Sequence, residues 1–296
     1  MNRTVAGFFK LTRFNEYVFF VIVTTLLGIA AAGGEFGWRF VHVLVANWLS
    51  VGFAFMINDV EDAPDDSLNP EKIQRNPVSA GLLTPRTARL ISFIVALIAL
   101  GLYATLGGKA FLYGAISLVL GVFYSAYLRL KNRAFFDLLS HCWLLAGLQT
   151  LTGYFAFAGK VNDKLLFPLI FVLCISIYGE LFNELRDFEG DKRAGLRHTA
   201  IVLGEKTTHA LMLVVLAIGV VCGIISFLVL RLFSPWVIVL MAVLAGLMLM
   251  PVLMRVKKSD SSLQIQTPIH KPLERAAATA MLLSYVVPAL VKLFAK

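Results

Sequence analysis

Charged residues are scarce in this sequence. They make up 15% of its 296 residues, whereas hydrophobic residues make up 58% and the mean hydropathy is +0.79. Soluble domains typically contain about 25% charged and about 45–50% apolar residues. This composition therefore excludes an ordinary soluble domain and predicts a chain that lies in a lipid bilayer.

Cysteine is also rare, and the three cysteines, Cys142, Cys174 and Cys222, all lie within apolar segments. They lack the close spacing of metal ligands, so they are interpreted as packing residues. The net charge of +9 comes from basic residues scattered between apolar segments rather than from one basic patch. This distribution argues against a nucleic-acid partner.

Long apolar segments are what the sequence has instead. A helix needs about 20 apolar residues to cross a hydrocarbon core of about 30 Å, and nine segments come near this length. They cover residues 16–32, 40–57, 89–106, 110–128, 135–158, 165–182, 209–230, 235–254 and 276–294. They lack the alternating pattern of a membrane β-barrel. The predicted fold class is therefore an all-α polytopic membrane protein, a bundle of about nine transmembrane helices.

The basic residues predict how these segments are oriented. If the N-terminus is cytoplasmic, the opposite face carries seven of the 27 Lys and Arg residues and the cytoplasmic face carries the other 20. Cytoplasmic loops of membrane proteins are enriched in Lys and Arg. A cytoplasmic N-terminus is therefore predicted.

Twelve of the 18 acidic residues lie in two places, each at or just after the end of an even-numbered span. Residues 58–66 read Asn-Asp-Val-Glu-Asp-Ala-Pro-Asp-Asp, and residues 183–191 read Asn-Glu-Leu-Arg-Asp-Phe-Glu-Gly-Asp. In each copy Asp stands four and eight residues after Asn, and the two copies are 125 residues apart. The pattern predicts an internal repeat within a single domain over residues 1–296, with both copies on the cytoplasmic face.

The four-residue spacing has a chemical meaning. Carboxylates four positions apart on a helix point the same way and repel each other. Two such pairs facing across a bundle would make an oxygen-rich site that suits Mg²⁺, which proteins typically hold with one or two carboxylates plus substrate phosphates. The alternative is two solvated acidic segments at the membrane edge. Repetition of the pattern on one face favours a functional site over that alternative.

Three shorter motifs accompany the acidic clusters. They are Arg75-Asn76-Pro77-Val78-Ser79-Ala80-Gly81, then Tyr124-Ser125 with Leu128-Arg129-Leu130-Lys131, and then Gly190-Asp191-Lys192-Arg193-Ala194-Gly195 running on to Leu203-Gly204. Together with the two aspartate motifs they resemble the UbiA superfamily of intramembrane prenyltransferases, over nearly the whole chain. The resemblance implies a helical bundle with a central cavity that opens at the cytoplasmic face, in a prokaryotic cell membrane.

The same resemblance implies Mg²⁺-dependent transfer of a prenyl group from a prenyl diphosphate to a lipophilic acceptor, through an allylic carbocation. The implied metal ligands are Asp59, Asp62, Asp66, Asp187 and Asp191. The implied diphosphate-binding residues are Asn58, Arg75, Arg129, Lys131 and Asn183. The implied catalytic residues are Asp62, Asp187, Asp191, Lys131 and Tyr124.

One residue departs from the motif. Pro64 lies inside the first copy, and proline lacks the backbone donor that a helix interior needs. Pro64 is therefore expected to end or kink the helix between Asp62 and Asp66. This makes Asp66 the weakest of the five expected metal ligands.

Several reactions stay open at this point. The expected acceptor is an aromatic or quinone precursor. A carotenoid (lycopene) elongase-like transfer is an alternative, because residues 128–133 and 137–141 resemble that branch of the superfamily. A UbiA-type terpene cyclase, which needs no acceptor, is another. A cation transporter is the least favoured, because transport sites lie near the membrane midplane whereas these carboxylates lie at one surface.

Overall fold

The computed structural model describes residues 3–68, 70–193, 195–255 and 262–295, so Ala194 of the last short motif lies outside the described residues. Within these ranges the chain forms α-helices joined by short turns, and none of the described residues is in a strand. The first seven helices are α1 (Arg3–Thr12), α2 (Phe14–Ala31), α3 (Trp38–Asp66), α4 (Pro70–Arg75), α5 (Pro85–Ala104), α6 (Gly108–Ser125) and α7 (Phe136–Cys142). The others are α8 (Leu148–Phe155), α9 (Leu166–Arg193), α10 (Thr199–Leu203), α11 (Glu205–Ile224), α12 (Pro235–Leu253) and α13 (Ser262–Phe294).

Eight helical segments of the described chain are long and apolar enough to cross a membrane. They are Val5–Ala31, Trp38–Asp66, Pro85–Ala104, Gly108–Ser125, Leu166–Arg193, Glu205–Val229, Pro235–Leu253 and Pro268–Phe294. The remaining predicted segment, 135–158, forms α7 and α8, which are joined by a π-helical turn at Trp143–Gly147. The predicted all-α polytopic membrane fold is confirmed.

The helices α3 and α9 are longer than the apolar segments that predicted them. With 29 and 28 residues, they extend over about 44 and 42 Å, whereas the hydrocarbon core is about 30 Å thick. The last turns of both helices therefore continue beyond the apolar segments that end near residues 57 and 182. Both aspartate motifs lie on these last turns. Pro64 does not end its helix, because α3 continues through Asp66, so the expected helix end between Asp62 and Asp66 was wrong.

A buried polar network holds the centre of the bundle together. The Asn47 amide donates to Thr25 Oγ1 at 2.7 Å and to the Gln149 carbonyl at 3.0 Å. Its oxygen accepts from Tyr103 at 2.7 Å and from Thr152 at 2.8 Å. Because a buried amide is costly unless it is hydrogen-bonded, these four contacts assign Asn47 a packing role.

Small residues let α2 and α8 approach closely. A Cβ atom on Gly28 would lie 2.1 Å from the Thr150 carbonyl oxygen, and one on Gly153 would lie 2.5 Å from the Thr25 carbonyl oxygen. Neither position has room for a side chain, which is typical of helix contacts in membranes. On the outside of the bundle, α12 exposes large apolar side chains such as Val239, Leu247 and Met250, as a lipid-facing helix should.

Candidate active site

Both copies of the aspartate motif lie on continuous helix. The four-residue spacing therefore places successive motif residues on successive turns, at the end of α3 in one copy and at the end of α9 in the other. The two copies nevertheless have different surroundings. The first is best described from its most buried acid, Asp59.

The Asp59 side chain is buried beside one cation. It is 2% exposed, and its Oδ1 accepts from Arg13 Nη1 at 3.1 Å. Its other oxygen, Oδ2, has no hydrogen-bond partner among the described residues. Arg13 lies between α1 and α2 with φ 45° and also binds Glu16 through two nitrogens, at 3.0 and 2.7 Å. Arg13 therefore compensates the charge of Asp59 and leaves one carboxylate oxygen available to a ligand.

The middle aspartate of the first copy, Asp62, lies between two basic side chains. Lys131 donates to Asp62 Oδ2, and Arg129 lies 3.4 Å from Oδ1. Arg129 also contacts Asp65 at 3.0 Å. Burial lowers the pKa of Lys131, and the negative charge of Asp62 opposes that shift. Two of the residues expected to bind diphosphate are thus in contact with an expected metal ligand.

The loop that carries Lys131 has a strained backbone. Tyr127, Arg129 and Phe135 have φ of 50°, 44° and 68°, in the left-handed region that side chains other than glycine rarely adopt. Each such residue costs about 1–3 kcal/mol and persists only when its surroundings impose it. The ion pairs of Arg129 and Lys131 with the first motif and a hydrogen bond from the Phe135 amide to Thr199 supply that constraint.

The remaining residues of the first copy also have partners. The Asn76 amide donates to Asp66 Oδ2 at 2.9 Å and to the Asp59 carbonyl at 2.8 Å. The Asn58 amide donates to Ser125 Oγ at 3.3 Å, at the end of α6. Asp66 is therefore held in place although Pro64 precedes it by two residues.

In the second copy, the buried acid is Glu184, which is 7% exposed. Its Oε2 accepts from the Ala200 amide at 2.7 Å and lies 3.1 Å from His198 Nδ1, whereas its Oε1 has no hydrogen-bond partner in the described part of the chain. His198 Nε2 lies 3.0 Å from Asp191. Burial alone would lower the pKa of His198, but the two carboxylates outweigh it and raise the pKa to about 10. His198 is therefore a cation at neutral pH, as Arg13 is in the first copy.

Asn183 and Asp187, the other two residues of the second copy, are exposed. Asp187 pairs with the neighbouring Arg186 at 2.9 Å, and half of its side chain is open to solvent. Within the part of the chain that the structure describes, no basic side chain from another segment contacts this carboxylate as Lys131 contacts Asp62.

Contacts of the end of α6 show that the two clusters lie at the same end of the bundle. Ser125 binds Asn58 of the first copy. The adjacent Tyr124 donates to Glu180 at 3.3 Å, one turn before Glu184 on α9. His141 lies 3.3 Å from the other Glu180 oxygen. The end of α6 therefore lies between the two acidic clusters.

Arg75 does not contact either aspartate motif in the structure. Its guanidinium binds Glu16, at 2.6 and 3.3 Å, and is exposed. Since Glu16 also binds Arg13, which in turn binds Asp59, Arg75 belongs to an ion-pair chain that begins at the first motif.

Four residues of the site were not predicted from the sequence: Arg13, Asn76, Glu184 and His198. One signal pointed to Glu184, because it occupies the position of Asp59 when the two copies are aligned. The two acids are also equivalent in the structure. Both are buried, both face one cation, and both keep one carboxylate oxygen that no donor of the described residues contacts. Arg13 and His198 lie outside both copies, so the repeat pattern could not identify them.

The donor set fits a magnesium ion. Both clusters are rich in carboxylate oxygens, which Mg²⁺ prefers over nitrogen or sulfur ligands. Asp59 Oδ2 and Glu184 Oε1 are buried oxygens without protein donors among the described residues, and a buried carboxylate oxygen in that state is costly. A divalent cation is one way to offset that cost.

Comparison with known proteins identifies the family. The model of the UbiA prenyltransferase family matches residues 21–268. This chain belongs to the UbiA prenyltransferase family. The superfamily predicted from the motifs is thereby confirmed, and with it the expectation of an enzyme that belongs to a prenyl-transferring family.

Curated relatives within the UbiA family come from archaea. The chain is 28% identical to the digeranylgeranylglyceryl phosphate synthase of Sulfolobus acidocaldarius over 182 residues, which cover 60% of this chain and 62% of that protein. It is 30% identical to the lycopene elongase/hydratase of Haloferax volcanii over 161 residues, which cover 53% of this chain and 50% of that protein. The chain thus spans less than two thirds of the length of these two relatives.

Solved structures share the UbiA fold. A UbiA homologue from Archaeoglobus fulgidus, bound to GPP and Mg²⁺, superposes with a TM-score of 0.65 at 20% identity, over 92% of this chain and 99% of that one. The apo structure of a UbiA homologue from Aeropyrum pernix gives a TM-score of 0.70 at 18% identity, over 92% of this chain and 98% of that one. At these sequence identities the similarity shows a shared fold.

Proposed function

We propose that this chain transfers a prenyl group from a prenyl diphosphate to a lipophilic acceptor in a Mg²⁺-dependent reaction. The observation that carries the proposal is that the end of α6 contacts the first carboxylate cluster through Ser125 and the turn of α9 before the second through Tyr124. Two solved structures of a UbiA homologue from Archaeoglobus fulgidus, one with GPP and Mg²⁺ and one with DMAPP and Mg²⁺, have the same fold and support it. Membership of the UbiA prenyltransferase family supports the reaction class.

The residues proposed to hold Mg²⁺ are Asp59, Asp62, Asp66, Asp187 and Asp191. A metal ion held there would neutralise the negative charge that develops on the departing diphosphate. Asn58 and Asn183, which lead the two copies, are proposed to orient ligands through their amides. Asp187 and Asn183 are the most accessible members and would meet the diphosphate from the α9 side.

Lys131 and Arg129 are proposed to change partner when the substrate binds. In the structure they neutralise Asp62, which has no other cation in contact among the described residues. Once Asp62 binds a metal ion, both basic side chains are released to donate to phosphate oxygens, for which the Arg129 guanidinium is well suited. Its Nε is buried and has no hydrogen-bond partner within the described ranges, so this donor is available to a ligand.

Tyr124 is proposed to line the reaction path. Its ring lies between the two clusters, and its hydroxyl donates to Glu180. An aromatic face beside the allylic carbon would stabilise positive charge there, and apolar walls around it would exclude water. Arg75 is proposed to bind diphosphate by leaving Glu16, its partner in the structure.

The acceptor is proposed from the relatives. Their names concern a glyceryl phosphate lipid and lycopene, which favours an isoprenoid lipid that is not aromatic. Elongation of a carotenoid is therefore the second candidate reaction. The aromatic or quinone precursor expected from the motifs stays a prediction that these names do not support.

The proposed orientation puts both motifs on the cytoplasmic face. In this orientation the cytoplasmic face carries 20 Lys and Arg residues and the opposite face carries seven, which supports it. A water-soluble diphosphate made in the cytoplasm would then reach the carboxylates directly, with its prenyl tail in the bundle.

The experiment uses the purified protein in lipid nanodiscs with labelled prenyl diphosphates of graded length. Each donor is offered with Mg²⁺ and either a glyceryl ether phosphate, lycopene or a quinone precursor. Mg²⁺-dependent formation of a labelled conjugate is the expected result, and the productive acceptor identifies the reaction. A labelled cyclic hydrocarbon formed without acceptor would indicate a cyclase. If no donor releases diphosphate with any acceptor, the proposal is wrong.

A further inference from the structure

One buried cluster near the two motifs has no part in the proposed reaction. It consists of Asp137, at the start of α7, and Thr199, the first residue of α10, which are 1% and 0% exposed. A buried carboxylate is costly unless hydrogen bonds compensate it. The contacts of Asp137 are therefore informative about what the cluster does.

Asp137 accepts three short hydrogen bonds. Its Oδ2 accepts from the Thr199 amide at 2.6 Å, and its Oδ1 accepts from the Thr199 hydroxyl at 2.5 Å and from the Leu138 amide at 2.6 Å. The Thr199 hydroxyl in turn accepts from the Phe135 amide at 2.7 Å. Residues 135–138 are thus joined to Thr199 by three hydrogen bonds, while the fourth joins the Asp137 carboxylate to the amide of the next residue.

On one side, this cluster continues into the second motif. The residue before Thr199 is His198, which lies between Glu184 and Asp191 at 3.1 and 3.0 Å. The residue after it is Ala200, whose amide donates to Glu184 at 2.7 Å. Residues 198–200 therefore bridge the end of α9 and the start of α7, with Thr199 as the contact to α7.

On the other side, the cluster continues into the loop that contacts the first motif. Residues 126–135 lead from α6 to α7 and carry Lys131, which binds Asp62. The loop ends at Phe135, whose φ of 68° is strained for a residue with a side chain. The hydrogen bond from the Phe135 amide to Thr199 constrains that end of the loop.

Asp137 and His198 are already engaged by protein groups, although they come close to Glu184. Ligand atoms of Asp137, Glu184 and His198 lie within 4.8 Å of one another. However, both Asp137 oxygens already accept protein hydrogen bonds, and both His198 nitrogens face carboxylates. The cluster is a hydrogen-bonded link between two chain segments.

We propose that Asp137 and Thr199 are positioning residues that fix the two aspartate motifs relative to each other. They act on the second motif through His198 and Ala200, which contact Glu184 and Asp191. They act on the first motif through the loop, whose Lys131 contacts Asp62. This inference rests on the proposed function, because its consequence is the correct spacing of two carboxylate clusters around one Mg²⁺–diphosphate group. Displacements of about 1 Å can lower a rate by about 10²-fold.

The test compares Thr199→Val and Asp137→Asn with two reference variants. Thr199→Val keeps the shape but removes the hydroxyl that joins Phe135 to Asp137. Thr199→Ser keeps the hydroxyl and is expected to rescue most of the activity. Thr208→Val removes another fully buried hydroxyl, which donates to the Gly204 carbonyl within one chain segment, and controls for the loss of a buried hydrogen bond.

The measurements are the Mg²⁺ concentration for half-maximal prenyl transfer, kcat, and binding of an unreactive prenyl thiodiphosphate in the presence of Mg²⁺. Thr199→Val and Asp137→Asn should raise the half-maximal Mg²⁺ concentration several-fold, weaken analogue binding, and lower kcat roughly tenfold or more. Thr208→Val should leave the Mg²⁺ response unchanged. Melting temperatures in detergent show which variants are folded.

If Thr199→Val and Asp137→Asn are folded and keep the wild-type Mg²⁺ response and analogue affinity, the inference is wrong, whatever their melting temperatures. If both fail to fold, Thr199→Ser and Thr199→Ala provide the graded series, and equal Mg²⁺ responses in these two overturn it. Should the wild-type protein itself show no prenyl transfer, the proposed function fails. Analogue binding still tests the positioning role in that case.

Discussion

The two copies of the aspartate motif have the same spacing but different surroundings. In the first, Asp59 and Asp62 contact Arg13, Arg129 and Lys131, all from other parts of the chain. In the second, Asp187 is exposed and contacts its neighbour in sequence, Arg186. The first copy is therefore held by tertiary ion pairs, whereas the middle of the second copy is open.

The copies also agree at the acid that directly follows each leading asparagine. Asp59 and Glu184 hold this position, and both are buried beside a cation with one oxygen that has no hydrogen-bond partner among the described residues. This comparison separates two kinds of acid. Asp59, a proposed metal ligand, and Glu184 are buried and fixed by cations, whereas the middle aspartates, Asp62 and Asp187, are more accessible proposed ligands.

Substitution of Asp62 should have the largest effect. Asp62→Asn removes a proposed metal ligand and leaves Lys131 without its counter-ion, so prenyl transfer should fall by about 10²–10³-fold. In metal-free protein the stability should also drop, by about 2 kcal/mol, because a partly buried ion pair is broken. Labelled prenyl transfer and thermal melting measure the two effects. Asp65→Asn is the matched control, since this exposed acid also contacts Arg129 and should change both values little.

Substitution of Asp187 should separate activity from stability. Asp187→Asn should lower prenyl transfer by about 10²-fold, yet leave the melting temperature of metal-free protein unchanged, because exposed ion pairs contribute at most about 1 kcal/mol. Glu189→Gln, an exposed acid on the same helix, controls for a change of surface charge. A large loss of stability in Asp187→Asn would contradict the contrast between the copies.

The cations beside the two copies, Arg13 and Arg186, should also differ in how much they stabilise the protein. Arg13→Met leaves the buried Asp59 unpaired and should destabilise the protein by about 3 kcal/mol. Arg186→Met breaks an exposed pair and should cost less than about 0.5 kcal/mol. Chemical denaturation in detergent compares the two variants directly. Equal stabilities would show that Arg13 does not compensate a buried charge.

The smallest expected effects are at the leading asparagines. Asn58→Ala loses the hydrogen bond to Ser125, which is worth about 1 kcal/mol, and should raise KM for the prenyl diphosphate about fivefold. Asn183→Ala, at an exposed position, should raise KM by less. A larger increase in KM for Asn183→Ala than for Asn58→Ala would contradict this expectation.

The helical bundle was predictable because apolar segments and basic loops follow local rules. The length of α3 was not predictable from the sequence. Its last turns are polar and contain Pro64, yet they are helical. The residues expected to bind ligands came from the resemblance of several motifs to the UbiA superfamily, and their roles stay predictions. Arg13 and His198 could not be found in this way, because they approach the motifs from other segments of the chain.

Binding of an unreactive prenyl thiodiphosphate tests most directly whether both motifs hold one Mg²⁺–diphosphate group. The affinity is measured with and without Mg²⁺ for the wild type, Asp62→Asn and Asp187→Asn, in protein shown to be folded. We predict Mg²⁺-dependent binding by the wild type and a loss of at least about tenfold in each variant. Wild-type affinity in Asp187→Asn would contradict the claim, because the second motif would then have no part in the site.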